Sequence, residues 1–149
     1  MKNIIITLSF LLFSSLVYAQ SFSDELKAAL KADDPVQLFV ELKAKKASMN
    51  DCFDLDGNSY SLFAVSIRMD RIKVLEALIK EKADLNKTCN DKTPLMYAAK
   101  YGKLAAAQAL VKAGADTKIA NQDKETALDY AIKYKNKELE TYLSSLKTK

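Results

Sequence analysis

Residue types that usually perform catalysis are scarce in this sequence. Histidine is absent, which removes the commonest general base and the commonest metal ligand. A serine or cysteine nucleophile therefore lacks its usual base; a Ser–Lys dyad stays open, although a hydroxyl lies near a lysine by chance in a chain with this many of both. Paired carboxylates hydrolyse sugars only in a groove with buried acids, whereas the acids here fall in turns and on helix surfaces. The sequence predicts no catalytic residue, no metal site and no cofactor.

The segment Asp51–Tyr60 concentrates acidic and turn-forming residues. Within it, Asp54-Leu55-Asp56-Gly57-Asn58 faintly resembles a calcium-binding loop, but the later acidic ligands and the terminal glutamate are missing. An Asp-Gly pair is more simply explained as a turn. This segment therefore favours a projecting turn over a cation site.

The N-terminus has the pattern of an export signal. Lys2 supplies a short positive start, Ile4 to Val17 is apolar and uncharged, and Val17-Tyr18-Ala19 resembles a cleavage site. The apolar run is shorter than the roughly 20 residues that span a bilayer, although an uncleaved anchor stays an alternative. We therefore expect a signal peptide at residues 1–19, and a mature domain at residues 20–149 located in the bacterial periplasm.

A motif recurs along the chain at a nearly constant interval. Thr93 begins TPLMYAAKYG, Thr126 begins TALDYAIKYK 33 residues later, and Ser61 begins SLFAVSIRMD 32 residues earlier. Thr93 is a good helix N-cap, Pro94 suits the first helical position, and Gly102 suits a left-handed helix end. In the Ser61 copy, the register is open by one residue, because Tyr60 also fits the cap position.

These residues, with the leucine-rich second helix LAAAQALV and the closing Gly-Ala-Asp at 114–116, resemble the ankyrin repeat. The resemblance implies an all-α solenoid of about four helix-turn-helix repeats joined by β-hairpin loops, and an unrelated array of helical hairpins is the alternative. Asp70, Lys82 and Lys135 stand where the family usually has glycine. The repeats are predicted at residues 23–50, 59–86, 91–119 and 124–147.

The resemblance also implies where a partner binds, because the family makes most contacts with its concave side. The positions carried over are the two residues before each helix-ending turn and the residue before each cap. They are Arg68 and Met69, Lys100 and Tyr101, Lys133 and Tyr134, and then Tyr60, Lys92 and Glu125. We expect the apolar members to act as anchors and the cations to attract an acidic surface, whereas the alternative is that the tyrosines merely cover the core.

The first hairpin supplies further candidates. Phe53, Asp54 and Leu55 combine apolar and acidic side chains on a projecting loop, so we expect them to be either pinned down or offered to a partner. Cys52 lies in this hairpin and Cys89 in the next. Because adjacent ankyrin hairpins stack side by side and exported proteins often contain disulfides, a Cys52–Cys89 bond is predicted, with two free thiols as the alternative.

The functional expectation is a non-catalytic periplasmic module that binds another protein. The net charge of +4 comes with interspersed acids and lysines, unlike the concentrated basic patch of a nucleic-acid binder. Small exported ankyrin proteins resemble immunity or self-protection proteins, which implies occlusion of a periplasmic enzyme such as a peptidoglycan hydrolase or endopeptidase. A periplasmic scaffold or stress-protection module is the alternative. We expect a monomer when free, with no nucleic-acid partner and no membrane contact after signal cleavage.

Overall fold

The computed structural model describes residues 20–146, and the predicted signal peptide at residues 1–19 lies outside them. Eight helices form four consecutive helical hairpins, which confirms the predicted all-α ankyrin architecture. The helices are α1 (Asp24–Lys31), α2 (Pro35–Ala44), α3 (Leu62–Arg68), α4 (Ile72–Lys80), α5 (Pro94–Tyr101), α6 (Leu104–Ala113), α7 (Ala127–Lys133) and α8 (Lys137–Ser145). No helix within residues 20–146 has both the length and the apolar character needed to cross a membrane.

The first helix of each hairpin begins at a hydroxyl cap. The side chains of Ser61, Thr93 and Thr126 accept hydrogen bonds from the backbone N–H three residues further on. Each bond satisfies one of the amide groups that a helix start leaves without a partner. Ser61 rather than Tyr60 therefore holds the cap position, which settles the register of the second repeat.

The first helix of each hairpin, which we call the inner helix, ends at a residue in the left-handed conformation. Gly102 has φ of 67°, and Asp33, Asp70 and Lys135 adopt φ values of 53°, 60° and 59° at the matching position. Lys82 has φ of 59° at the end of α4. Side chains raise the energy of this conformation by roughly 1 kcal/mol relative to glycine, and aspartate tolerates it better than lysine. The departures from glycine thus keep the family's backbone path.

The core lies between two helical layers. In the inner layer, helix α5 packs against α3 and α7. In the outer layer, α2 packs against α4, α4 against α6, and α6 against α8. Small buried residues occupy one matching position on every inner helix. On α3, α5 and α7 they let the neighbouring inner helices approach closely. They are Ala29, Ser66, Ala98 and Ala131.

Polar side chains join one repeat to the next. The Asp33 carboxylate accepts hydrogen bonds from the backbone N–H groups of Lys73 and Val74, at 3.2 and 3.0 Å, and so caps α4 from the preceding repeat. At the other end of the stack, the Asn136 amide donates to the carbonyl oxygen of Ala99 at 2.6 Å. Repeats therefore share backbone hydrogen-bonding groups as well as apolar surface.

The first hairpin is joined by a third strand that the sequence did not predict. Strands β2 (Phe53–Leu55) and β3 (Asn58–Tyr60) pair in antiparallel fashion, and β1 (Gln20–Ser21) adds a parallel strand to β2. The hairpin is pinned to the next one by a disulfide bond between Cys52 and Cys89, whose Cα atoms lie 5.8 Å apart.

We predict that Asp33→Ala lowers the free energy of unfolding by about 1–2 kcal/mol, because it removes the cap on α4 and places alanine in a left-handed conformation. Asp33→Asn should lose less, since asparagine tolerates that backbone and keeps one acceptor. Urea denaturation measures both, with Asp123→Ala at an exposed site as the control. Equal midpoints for Asp33→Ala and Asp123→Ala would contradict the capping role.

Replacing both Cys52 and Cys89 by alanine should lower the free energy of unfolding by about 2–4 kcal/mol, because the bond closes a long loop in the unfolded chain. Urea unfolding of the wild-type protein with and without dithiothreitol gives the same comparison without a substitution. Identical unfolding curves for the oxidised and reduced protein would show that the cross-link contributes nothing.

Candidate functional site

Two pairs of stacked tyrosines lie on neighbouring inner helices. Tyr97 and Tyr101 of α5 have ring centroids 6.3 Å apart and planes inclined by 13°, and Tyr130 and Tyr134 of α7 have centroids 5.9 Å apart and planes inclined by 15°. The cause is local, since residues four apart share one face of a helix. Tyr97 and Tyr130 are buried, Tyr101 is half-buried, and 42% of Tyr134 is exposed.

Tyr60 extends this arrangement towards the N-terminus. Its ring, on β3, lies 5.7 Å from that of Tyr97 at an angle of 53°. The five rings come from three successive repeats, and we call them the tyrosine row. Its members are Tyr60, Tyr97, Tyr101, Tyr130 and Tyr134.

Cations lie over the rings of this row. The Arg68 guanidinium is 5.7 Å from the Tyr60 centroid, and the Lys133 ammonium is 5.7 Å from that of Tyr130. Lys100 bridges two repeats, because its Nζ is 5.5 Å from the Tyr101 centroid and 5.7 Å from that of Tyr134. Exposed contacts of this kind contribute about 0.5–1 kcal/mol, so they orient the cations without immobilising them.

The C-terminal end of the row carries its own acid. Lys133 Nζ donates to Glu125 Oε1 at 2.7 Å, and the Asn121 amide donates to Glu125 Oε2 and to the Tyr130 hydroxyl oxygen, both at 3.1 Å. The hydrogen bond from Lys133, followed by that from Asn121, lowers the pKa of Glu125, and the same contact with Glu125 raises the pKa of Lys133. By contrast, neither Arg68 nor Lys100 forms an ion pair with any residue in the described part of the chain.

Two members of the row, Tyr97 and Tyr130, lose their phenol protons less readily than a free tyrosine does. Burial raises the pKa of both Tyr97 and Tyr130 above the ordinary value. The Tyr97 hydroxyl is buried without a well-formed hydrogen bond to any described residue. The Asn90 side chain lowers the pKa of Tyr97, but by less than burial raises it. The row therefore offers flat apolar rings, phenol groups and positive charge, which suits an acidic protein surface better than it suits proton transfer.

The structure separates the candidates of the first hairpin. Phe53 is fully buried and packs edge-on against Phe22 with centroids 5.5 Å apart, so of the two alternatives it is pinned down and not offered to a partner. The Asp54 carboxylate accepts from the Gly57 amide at 3.0 Å and holds the turn. Leu55 is half-buried on the inner side of the hairpin.

The remaining sequence candidates lie along the row or beside it. Met69 is half-buried and packs on the core, and Lys92 donates from Nζ to the carbonyl oxygen of Asn90 at 3.1 Å. Of the tyrosines named from the sequence, Tyr101 is half-buried against the core and 42% of Tyr134 is exposed, and their role as anchors stays a prediction. Sequence reasoning missed Tyr97 and Tyr130, although their four-residue spacing from Tyr101 and Tyr134 was a usable signal.

A cavity of 210 Å³ lies at the N-terminal end of the same face. Sequence reasoning found only part of its lining, because the first repeat was too degenerate for its register to be set. Counting back from the left-handed turns provides that register, since Lys31, Arg68, Lys100 and Lys133 each stand two residues before one. We call this space the N-terminal cavity, and its walls are formed by Phe22, Lys27, Lys31, Leu55, Val65, Arg68 and Met69.

The fold and this surface define a helical-repeat binding protein. A family model described as ankyrin repeats in three copies matches residues 26–121 and 62–148, so the chain belongs to the ankyrin repeat family. Ankyrin repeats are protein–protein interaction modules, which indicates that this chain binds another protein. No curated protein matches the chain. Within residues 20–146, no group of three or more potential metal ligands is present.

Lys133→Ala should raise the pKa of Glu125 towards its ordinary value, because the largest interaction that lowers it disappears. A carboxyl with a lowered folded-state pKa stabilises the fold at neutral pH, and that contribution is lost as the pH falls through the folded pKa. Carbon-detected NMR of the side-chain carboxyl follows this titration. Lys112→Ala, at an exposed lysine of α6, is the control that should leave the Glu125 titration unchanged. An unaltered curve in Lys133→Ala would contradict the assigned cause.

Proposed function

We propose that this protein is exported to the periplasm and binds an acidic surface on another protein through the tyrosine row and its cations. The observation that carries the proposal is the pair of cations Arg68 and Lys100, which have no acidic partner among residues 20–146 and are held over aromatic rings on the inner face. Tyrosine and arginine are enriched at binding hot spots because they bury large areas and still satisfy a polar group. Positive charge along such a surface also speeds the approach of an acidic partner.

The proposal includes an effect on the partner, namely inhibition of a periplasmic enzyme by occlusion, as in immunity or self-protection. Several features support it. Residues 1–19 have the pattern of an export signal, and the Cys52–Cys89 bond is of a kind that persists in oxidising compartments. The chain also lacks histidine, which is the commonest general base. An enzyme that cuts peptidoglycan is the target class that fits this compartment.

A rigid surface suits occlusion better than a mobile one, because little ordering entropy is lost when it binds. The hairpin next to the row is fixed by the disulfide, by β1 and by the contact between Phe22 and Phe53. Four of the five rings of the row belong to the α5 and α7 repeats, and Tyr60 lies on strand β3 of this hairpin. The surface is thus arranged before any partner arrives.

We predict that Tyr134→Ala and Lys100→Glu each weaken partner binding by about tenfold or more, as expected for central anchors of an interface. Thermal unfolding should change little, since neither side chain is part of the buried core: 42% of Tyr134 is exposed and Lys100 is half-buried. The measurement is capture from periplasmic extract by the mature protein and its variants, followed by calorimetry with the purified partner. Lys112→Glu is the charge-matched control on the outer layer.

The activity of the captured enzyme and the capture pattern of the variants decide the proposal. A captured enzyme that loses activity on adding the mature protein supports inhibition, whereas one that keeps full activity would assign a scaffolding role instead. A capture pattern that is the same for wild type, Tyr134→Ala and Lys100→Glu would show that the row is not the binding surface. Mass measurement of the protein in the periplasmic fraction tests cleavage after Ala19.

A further inference from the structure

The N-terminal cavity exists because the tyrosine row stops short of the first repeat. Tyr97 and Tyr130 stand five residues before their left-handed turns, and the equivalent residue on α3 is Val65. The residue just before the turn is Tyr101 or Tyr134 on α5 and α7, but Met69 on α3. On α1 both positions hold alanine. Smaller side chains thus leave open the space that rings fill elsewhere.

Helix packing enlarges the same gap. Helix α3 packs closely on α5, and α5 on α7, whereas α1 has no comparable contact with α3. Phe22, which follows β1, lines this gap instead. Its amide donates to the Asp54 carbonyl oxygen at 3.1 Å, and its ring packs on Phe53. Because β1 and the disulfide-linked hairpin hold these groups, the cavity is formed before a ligand arrives.

The size of the cavity limits what enters it. Its volume is 210 Å³. A cavity of about 150 Å³ holds a benzene ring, whereas sites for drug-sized ligands are about 300–1,000 Å³. The space therefore accommodates one large aliphatic or aromatic side chain and is too small for a cofactor.

Basic residues at the rim of the cavity favour negative charge next to the bound side chain. Phe22, Leu55 and Val65 give the cavity apolar walls, while Lys27, Lys31 and Arg68 stand around it. Lys27 lies 3.5 Å from Asp24 in an exposed pair, which contributes little. Neither Lys31 nor Arg68 forms an ion pair with any residue between 20 and 146. The site therefore favours an apolar group that carries negative charge beside it.

We propose that the N-terminal cavity receives one apolar anchor residue of a protein partner, presented between acidic residues. This inference rests on the proposed function and adds a specificity site to it. The anchor fills the cavity while the flanking carboxylates meet Lys31 and Arg68. The acidic segment then continues over the tyrosine row, where Lys100 is the next cation.

Three capped tripeptides test this chemistry by NMR titration of the mature protein: Asp-Phe-Asp, Asp-Ser-Asp and Lys-Phe-Lys. Asp-Phe-Asp should shift the methyl signals of Leu55, Val65 and Met69 at millimolar concentration, the range expected for so small a ligand. Asp-Ser-Asp should lose this response because it lacks the anchor, and Lys-Phe-Lys because its charge is reversed. Equal responses to Asp-Phe-Asp and Lys-Phe-Lys would overturn the charge assignment, and a stronger response to decanoate would assign the cavity to a fatty acid instead.

Two variants tie the response to the cavity. Met69→Tyr places on α3 the ring that α5 and α7 carry at the same position, so it should fill the space and abolish the Asp-Phe-Asp response with the fold intact. Lys31→Glu should weaken the response at least about fivefold by removing one favourable charge interaction and adding an unfavourable one. Lys112→Glu is the control and should bind as wild type does. Unchanged binding by Met69→Tyr would place the peptide elsewhere.

Failure of this inference is distinguishable from failure of the proposed function. If Asp-Phe-Asp does not bind, but capture of a protein partner still depends on Tyr134 and Lys100, the cavity assignment falls and the proposed function stands. If the tripeptide binds in the cavity, but Tyr134→Ala and Lys100→Glu capture the same proteins as wild type, the row loses its role and the cavity keeps its own.

Discussion

Close approach of neighbouring inner helices is the constraint on which the rest of this structure depends. A short helical hairpin cannot bury its apolar stripe alone, so each repeat must lie against the next. The approach is possible because Ser66, Ala98 and Ala131 are small and buried at the same position of α3, α5 and α7. The left-handed turn that follows fixes the direction of each outer helix, even where Asp33, Asp70 or Lys135 must adopt it in place of glycine.

The same register arranges the binding surface. Since every inner helix ends at an equivalent turn, residues at a constant distance before it form lines across the stack. One line consists of cations from Lys31 to Lys133, and another changes from tyrosine on α5 and α7 to methionine on α3 and alanine on α1. A single geometric rule thus produces both the stacked rings at one end and the cavity at the other.

The two ends of the stack are stabilised differently. At the C-terminal end, Asn136 reaches back to α5 and Glu125 pairs with Lys133, so polar groups provide the contacts. At the N-terminal end, the disulfide, β1 and the paired rings of Phe22 and Phe53 hold the enlarged hairpin. The end held by the disulfide is also the one with a preformed cavity, which is consistent with a site that gains by rigidity.

The sequence by itself determined the local features of this protein. Caps at Thr93 and Thr126, the turn at Gly102, and the exposed cations of the inner helices follow from residues within one repeat. Tertiary structure decided what depends on segments far apart: the burial of Phe53 under Phe22, the addition of β1, the contact between the Tyr60 and Tyr97 rings and the opening between α1 and α3. Helix signals are local because the backbone hydrogen bonds are, whereas burial depends on which distant side chains meet, and no pattern within one repeat encodes that.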